Sequence, residues 1–145
     1  MSTIKAIFGL LLATVATVFA GLALGATQAS ASSAPIVIPY AKTCNEFGHC
    51  KGTANGVTIE MQITGFRATG DAAQLTLTEW ITAGGISFTA VMNGHSSPEG
   101  FIVLNGTVTD GSFAGAQVHQ RSNYVRGPAN ASEWTGELQL MPASA

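Results

Sequence analysis

The chain has 145 residues and a formal net charge of −2, and charged side chains make up only 10% of it. Acidic residues outnumber the scattered basic ones, so the sequence has no positive patch for nucleic acid or anionic lipid, and we expect no nucleic-acid partner. Once the N-terminal segment described next is removed, the remainder has the length of a single domain.

Residues 1–31 are predicted to be a signal peptide. Lys5 gives a short positive start, residues 6–26 carry no charge, and the small residues up to Ala31 fit a cleavage site. The predicted mature protein, residues 32–145, is therefore secreted and has no membrane contact after cleavage. The apolar run is also long enough to cross a bilayer, so an uncleaved N-terminal anchor is the alternative.

Cys44 and Cys50 are the only cysteines of the chain. Thiols tend to pair in the oxidising compartments that a secreted protein enters, so we expect a disulfide that pins the short loop between them. His49 raises the alternative of a metal site, but three clustered ligands with no obvious fourth are a weak zinc signature. We expect no metal and no cofactor.

Strands begin after the predicted cleavage site. Residues 36–38 lie between Pro35 and Pro39 and fit an edge strand at most. Residues 57–64 alternate between apolar and polar side chains over their whole length, which is typical of a strand with one buried face.

Residues 74–81 predict a further strand. The glycine-rich segment 82–85 joins it to a return strand over residues 86–92, which ends at the turn signal Asn93–Gly94. These two strands therefore form a predicted hairpin.

The C-terminal third continues the pattern. Residues 101–104 are a continuous apolar run, as expected for a strand covered on both faces. Asn105–Gly106 and Asp110–Gly111 are both turn signals, and we favour the second as the turn and the first as a bulge or bend. Strands over residues 118–125 and 134–140 complete the chain.

An all-β domain follows from these elements, because no apolar stripe of helical period persists along residues 32–145. We expect a small antiparallel β-barrel of about seven to eight strands. A β-sandwich is the alternative, since both architectures place alternate side chains inside.

Residues 106–116 read Gly-Thr-Val-Thr-Asp-Gly-Ser-Phe-Ala-Gly-Ala. This segment resembles the glycine-rich hairpin of allene-oxide-cyclase-like and dirigent-type β-barrels, in which a turn leads into Phe or Tyr, one residue and then Gly-Ala. It departs from that pattern in a shorter turn and in Gln117, where a further glycine is common. The resemblance implies an eight-stranded barrel with an apolar cavity, and it carries over no catalytic residue because the matched positions are structural.

Glu79 is the first candidate for acid–base chemistry. Its phase in the predicted strand places its carboxyl group among apolar residues such as Leu77 and Ile81, where it could hold or donate a proton. A bulge near Thr78 would reverse the phase and turn Trp80 inward instead. Trp80 is a candidate for stacking against a ligand.

Gln117, His119, Arg121 and Asn123 share one face of a predicted strand. If that face lines a cavity, Arg121 could hold a carboxylate or phosphate and His119 could move a proton near neutral pH. If it faces outward, the four side chains are an ordinary solvated surface.

We therefore expect a secreted, non-enzymatic β-domain that binds a small apolar or amphipathic molecule or an extracellular partner protein. One alternative is a cyclase- or isomerase-type enzyme that works in a barrel cavity with Glu79 or His119 as its acid–base group. Another is a structural or inhibitory protein that acts through its loops. A cavity favours the binding protein, and a buried titratable group in that cavity favours the enzyme.

Overall fold

A computed structural model describes residues 34–142, and the predicted signal peptide lies outside them. Within this range, no helix is long and apolar enough to cross a membrane. A 3₁₀ turn, Ala129–Ala131, precedes the last strand. The strands are β1 (Ile36–Cys44), β2 (His49–Ala54), β3 (Val57–Thr69), β4 (Ala72–Ala83), β5 (Ile86–Ser96), β6 (Phe101–Gly111), β7 (Gln117–Arg126) and β8 (Ser132–Met141).

The eight strands form a closed antiparallel barrel. Each strand pairs with its neighbours in the sequence, and β1 closes the barrel by pairing with β8 from Ile36 opposite Leu140 to Cys44 opposite Ser132. The prediction of a small all-β barrel is confirmed, and the sandwich alternative is wrong. β1 is also longer than the predicted edge strand, and β2 was not predicted.

Alternate side chains of the strands fill the barrel. Each inward apolar side chain contributes roughly 1.5–3 kcal/mol when it is fully buried. The outer wall faces solvent, so only Leu104 is buried in the apolar run 101–104, and the prediction that this strand is covered on both faces is wrong. The most deeply buried apolar side chains, at most 1% exposed, include Leu77, Met92, Leu104, Leu138 and Leu140.

Glycines allow neighbouring strands of this narrow barrel to approach closely. A Cβ atom at Gly94, Gly106 or Gly136 would lie at most 2.2 Å from a carbonyl oxygen of the adjacent strand. The prediction that β5 ends at Asn93–Gly94 is therefore wrong, since the strand continues to Ser96. Gly94 lies within the strand and allows the neighbouring strand to approach closely. The chain turns at residues 112–115, directly after the favoured turn signal.

The barrel has two ends, which we call the mouth and the far end. Because successive strands run in opposite directions, alternate connections lie at the same end. The mouth carries the connections 45–48, 70–71, 97–100 and 127–131, and the far end carries 55–56, 84–85 and 112–116.

Cys44 and Cys50 form a disulfide at the mouth, with their Cα atoms 4.0 Å apart. The predicted disulfide is confirmed, and it joins the end of β1 to the start of β2. Both sulfur atoms are bonded to each other, and Nε2 of His49 lies 2.8 Å from Oε1 of Glu60. Residues 34–142 contain no group of three or more His, Cys, Asp or Glu side chains arranged to hold a metal ion.

Replacing both cysteines, Cys44→Ser with Cys50→Ser, is expected to lower the free energy of unfolding by about 2 kcal/mol, because the short closed loop no longer restricts the unfolded chain. Urea unfolding followed by far-ultraviolet circular dichroism measures the change. Reduction of the unaltered protein is the control and should produce a similar loss. An unchanged free energy of unfolding in both samples would contradict this role of the disulfide.

Candidate functional site

Five polar side chains lie inside the barrel, and we call them the buried polar cluster. They belong to β1, β4 and β7, and each residue is at most 6% exposed. Polar groups are rarely enclosed to this degree unless they contact one another. The members are Tyr40, Lys42, Glu79, Gln120 and Ser122.

Glu79 points into the barrel because β4 alternates without interruption. It is fully buried, whereas Trp80 is 43% exposed on the outer wall. The pairing of β3 with β4 shifts between Ile63 and Gly65 on β3, and the pairing of β4 with β5 is regular. The predicted inward phase of Glu79 is confirmed, and the alternative with a bulge near Thr78 is wrong.

Hydrogen bonds link four members of the cluster. The amide nitrogen of Gln120 donates to Oε1 of Glu79 at 3.0 Å and to the hydroxyl of Tyr40 at 2.7 Å. The Tyr40 hydroxyl in turn shares a hydrogen bond with Oγ of Ser122 at 2.5 Å. Gly136 leaves room for this hydroxyl, since a Cβ atom there would lie 2.7 Å from it.

Lys42 contacts the cluster more loosely. Its Nζ atom lies 3.9 Å from Oε1 of Glu79, beyond hydrogen-bond distance, and 5.0 Å from the ring centroid of Tyr40. The hydrogen bond that it donates goes to Sδ of Met61 at 3.3 Å, and a thioether sulfur is a weak acceptor. Within residues 34–142, Oε2 of Glu79 and Oε1 of Gln120 have no hydrogen-bond partner.

Burial pushes both ionisable groups toward their neutral forms. Desolvation lowers the pKa of Lys42, and attraction to Glu79 opposes this shift. Desolvation raises the pKa of Glu79, opposed by the charge of Lys42 and the hydrogen bond from Gln120. The two groups therefore titrate as a coupled pair.

A cavity of about 520 Å³ opens at the mouth, directly above Lys42. Lys42, Cys50 and Met61 are each at most 4% exposed and form its floor. Phe47 and Phe66 stand at its rim, 78% and 69% exposed. The walls include Ile63, Ile102, Ser132 and Trp134.

A bulge in β3 directs Phe66 toward this cavity. Ile63 lies opposite Leu77, and Phe66 lies opposite Leu75, whose side chain is buried in the barrel. Directly opposed residues of paired strands share a face, so Ile63 and Phe66 both face inward although they are three positions apart. The extra residue of the bulge makes this possible.

The β1–β2 loop holds Phe47 above the cavity. Oδ1 of Asn45 accepts hydrogen bonds from the backbone N–H groups of Phe47 and His49, both at 3.0 Å. Gly48 has φ +72° and approaches Ile63 so closely that a Cβ atom would lie 2.8 Å from it. These contacts and the disulfide fix the loop.

The polar stripe of β7 lies on the outer wall. Gln117, Arg121 and Asn123 are exposed and His119 is half-buried, because the inward positions of this strand belong to its alternate residues. Nδ1 of His119 is hydrogen-bonded to Oδ1 of Asn105 at 2.7 Å on that outer wall. The stripe does not line the interior, so His119 does not share a site with Glu79.

Trp80, predicted as a ligand-stacking residue, lies on the outer wall and not in the mouth cavity. The residues that the sequence did not single out are Lys42 and the two rim phenylalanines. Lys42 follows Ile38 and Tyr40 at alternate positions, and that spacing is the signal that could have placed it inside.

No protein-family model matches this chain, and no curated protein or solved structure matches it either. The resemblance of residues 106–116 to allene-oxide-cyclase-like and dirigent-type barrels stays a prediction.

The variants Lys42→Met and Glu79→Gln are expected to show opposite pH dependences of stability. Without Lys42, the folded Glu79 keeps a raised pKa, so stability falls as pH rises above the usual carboxyl value of 4.5. Without Glu79, the folded Lys42 keeps a lowered pKa, so stability falls as pH drops below the usual amine value of 10.5. Each change leaves one buried ionisable group alone, which costs roughly 3–5 kcal/mol when that group is charged.

Urea unfolding at about pH 5 and about pH 9, compared with the unaltered protein, measures these slopes. The double variant is the control, because it lacks both groups and should show neither slope. Slopes of the same sign in the two single variants would contradict the assignment of a coupled buried pair.

Proposed function

We propose that this protein is a secreted, non-enzymatic binding protein that takes up a small, mainly apolar molecule through the mouth of its barrel. The observation that carries the proposal is the cavity of about 520 Å³ at the mouth. Its volume lies within the usual range for small-molecule sites. Aliphatic and aromatic side chains dominate its walls and rim.

The exposure of Phe47 and Phe66 supports this proposal. They are the two most exposed of the large apolar side chains in residues 34–142, and both border the same cavity. Exposed apolar side chains gathered around a concavity are typical of binding sites. A ligand that covers them removes apolar area from water, which contributes roughly 25 cal/mol per Å².

The rigidity of the β1–β2 loop supports binding in the same place. The disulfide and the hydrogen bonds of Asn45 hold Phe47 at the rim before any ligand arrives. A preformed site loses less conformational freedom on binding.

Secretion is supported by two independent features. The N-terminal residues have the pattern of a signal peptide, and Cys44 and Cys50 form a disulfide of the kind that persists in oxidising compartments.

The polar groups enclosed beneath the cavity suit a ligand that is amphipathic, with one polar end directed at the floor.

Nile red, an apolar dye whose emission brightens and shifts to the blue in apolar surroundings, provides the test. Titration of the purified protein should give saturable binding at one site. Phe47→Ser and Phe66→Ser should each weaken binding by about tenfold, because each removes part of the apolar surface that the dye covers.

Phe113→Ser is the matched control for this titration. Phe113 is 41% exposed, but it lies in the 112–116 connection at the far end. Its replacement should leave the affinity for Nile red unchanged. Absence of saturable binding, or equal losses in all three variants, would overturn the proposed function.

A further inference from the structure

Lys42 is the one charged side chain that both lines the mouth cavity and belongs to the buried polar cluster, among residues 34–142. Its side chain is only 1% exposed. A lysine in such a position is shielded from bulk water yet lies next to the space that a ligand would fill.

The amine of Lys42 is poorly satisfied by its surroundings. An ammonium group has three donors, but the hydrogen bond found for it goes to the weakly accepting sulfur of Met61 at 3.3 Å. The nearest carboxyl oxygen, Oε1 of Glu79, lies 3.9 Å away. A structural ion pair would bring these groups into direct hydrogen bonding, as buried charges require.

Glu79 is equally suited to carry a proton. Its Oε2 atom has no hydrogen-bond partner among residues 34–142, so a carboxylate there would be incompletely solvated. Burial raises the pKa of this carboxyl and lowers the pKa of Lys42. A neutral amine beside a neutral carboxylic acid is the combination that imine formation needs, because only the unprotonated amine is a nucleophile.

We propose that Lys42 captures an apolar aldehyde or ketone in the mouth cavity as a reversible imine, with Glu79 as the proton donor. This inference rests on the proposed function and identifies the ligand class of the same site. Nζ attacks the carbonyl carbon, and the resulting carbinolamine loses its hydroxyl group as water. The water that leaves contains the carbonyl oxygen, one proton from Glu79 and one proton from the former amine. The products are therefore a protonated imine, a carboxylate and one water molecule.

The buried polar cluster stabilises the protonated imine on Lys42 better than the unreacted amine. The protonated imine on Lys42 and the carboxylate of Glu79 form an ion pair inside the barrel, and Gln120 already donates a hydrogen bond to that carboxyl group at 3.0 Å. The face of the Tyr40 ring, 5.0 Å from Nζ, also favours a cation. A bound apolar ligand would itself cover the imine from solvent at the mouth.

Naphthaldehyde with sodium cyanoborohydride, which reduces an imine to a stable secondary amine, tests the proposal. Intact mass spectrometry of the purified protein should show one added naphthylmethyl group, and peptide mapping should place it on Lys42. Lys51, whose side chain is 65% exposed, is the internal reference and should be labelled more slowly.

Lys42→Arg keeps a long basic side chain but forms no imine, so labelling at the single site should fall by about tenfold or more. Lys51→Arg is the matched control and should leave that labelling unchanged. Circular dichroism checks that both variants fold, and the site of labelling in the unaltered protein decides the question even if a variant does not fold.

Labelling confined to Lys51 or the N-terminal amine would overturn the inference. Naphthylmethanol, which has no carbonyl group, separates this failure from failure of the proposed function. Competition of naphthylmethanol with Nile red, without labelling of Lys42 by naphthaldehyde, would keep the binding site and reject the imine. Absence of saturable Nile red binding together with absence of labelling would reject both.

Discussion

The pairing of β1 with β8 closes the sheet and encloses the interior of this protein. An eight-stranded barrel has an interior just wide enough for side chains, so every inward residue must pack or find a polar partner there. Closure brings Tyr40 of the first strand against Gln120 and Ser122 of the seventh, with Lys42 of β1 and Glu79 of β4 in the same interior. The buried polar cluster therefore exists only in the closed barrel.

The two ends of the barrel differ in their packing. Buried side chains such as Val57, Phe88 and Ala116 lie beside the connections of the far end. At the mouth, the bulge of β3 and the fixed β1–β2 loop hold aromatic side chains at the rim of the cavity. An amphipathic molecule requires apolar and polar surroundings side by side, and here an apolar cavity lies above a buried amine and carboxyl group. Binding of an amphipathic ligand and formation of an imine both depend on the position of the mouth cavity next to Lys42 and Glu79.

Much of the fold could be predicted from the sequence, because alternation is a local property. The strands around residues 57–64 and 74–81 follow from it, as does the inward phase of Glu79. β2 could not be predicted in this way, because alternate positions of its segment Lys51–Ala54 do not carry large apolar side chains. This strand depends on pairing with β3. The site was harder to predict because the phase of Phe66 depends on a bulge, and the role of Lys42 depends on strands distant in sequence.

The location of a bound molecule shows whether the mouth cavity is the binding site. Isoleucine side chains selectively labelled at their methyl groups report it through intermolecular nuclear Overhauser effects in a complex with Nile red. Binding in the mouth cavity predicts contacts from the dye to Ile63 and Ile102, which line that cavity, and none to Ile81 or Ile86 near the far end. Contacts to Ile81 or Ile86 without contacts to the mouth isoleucines would contradict it.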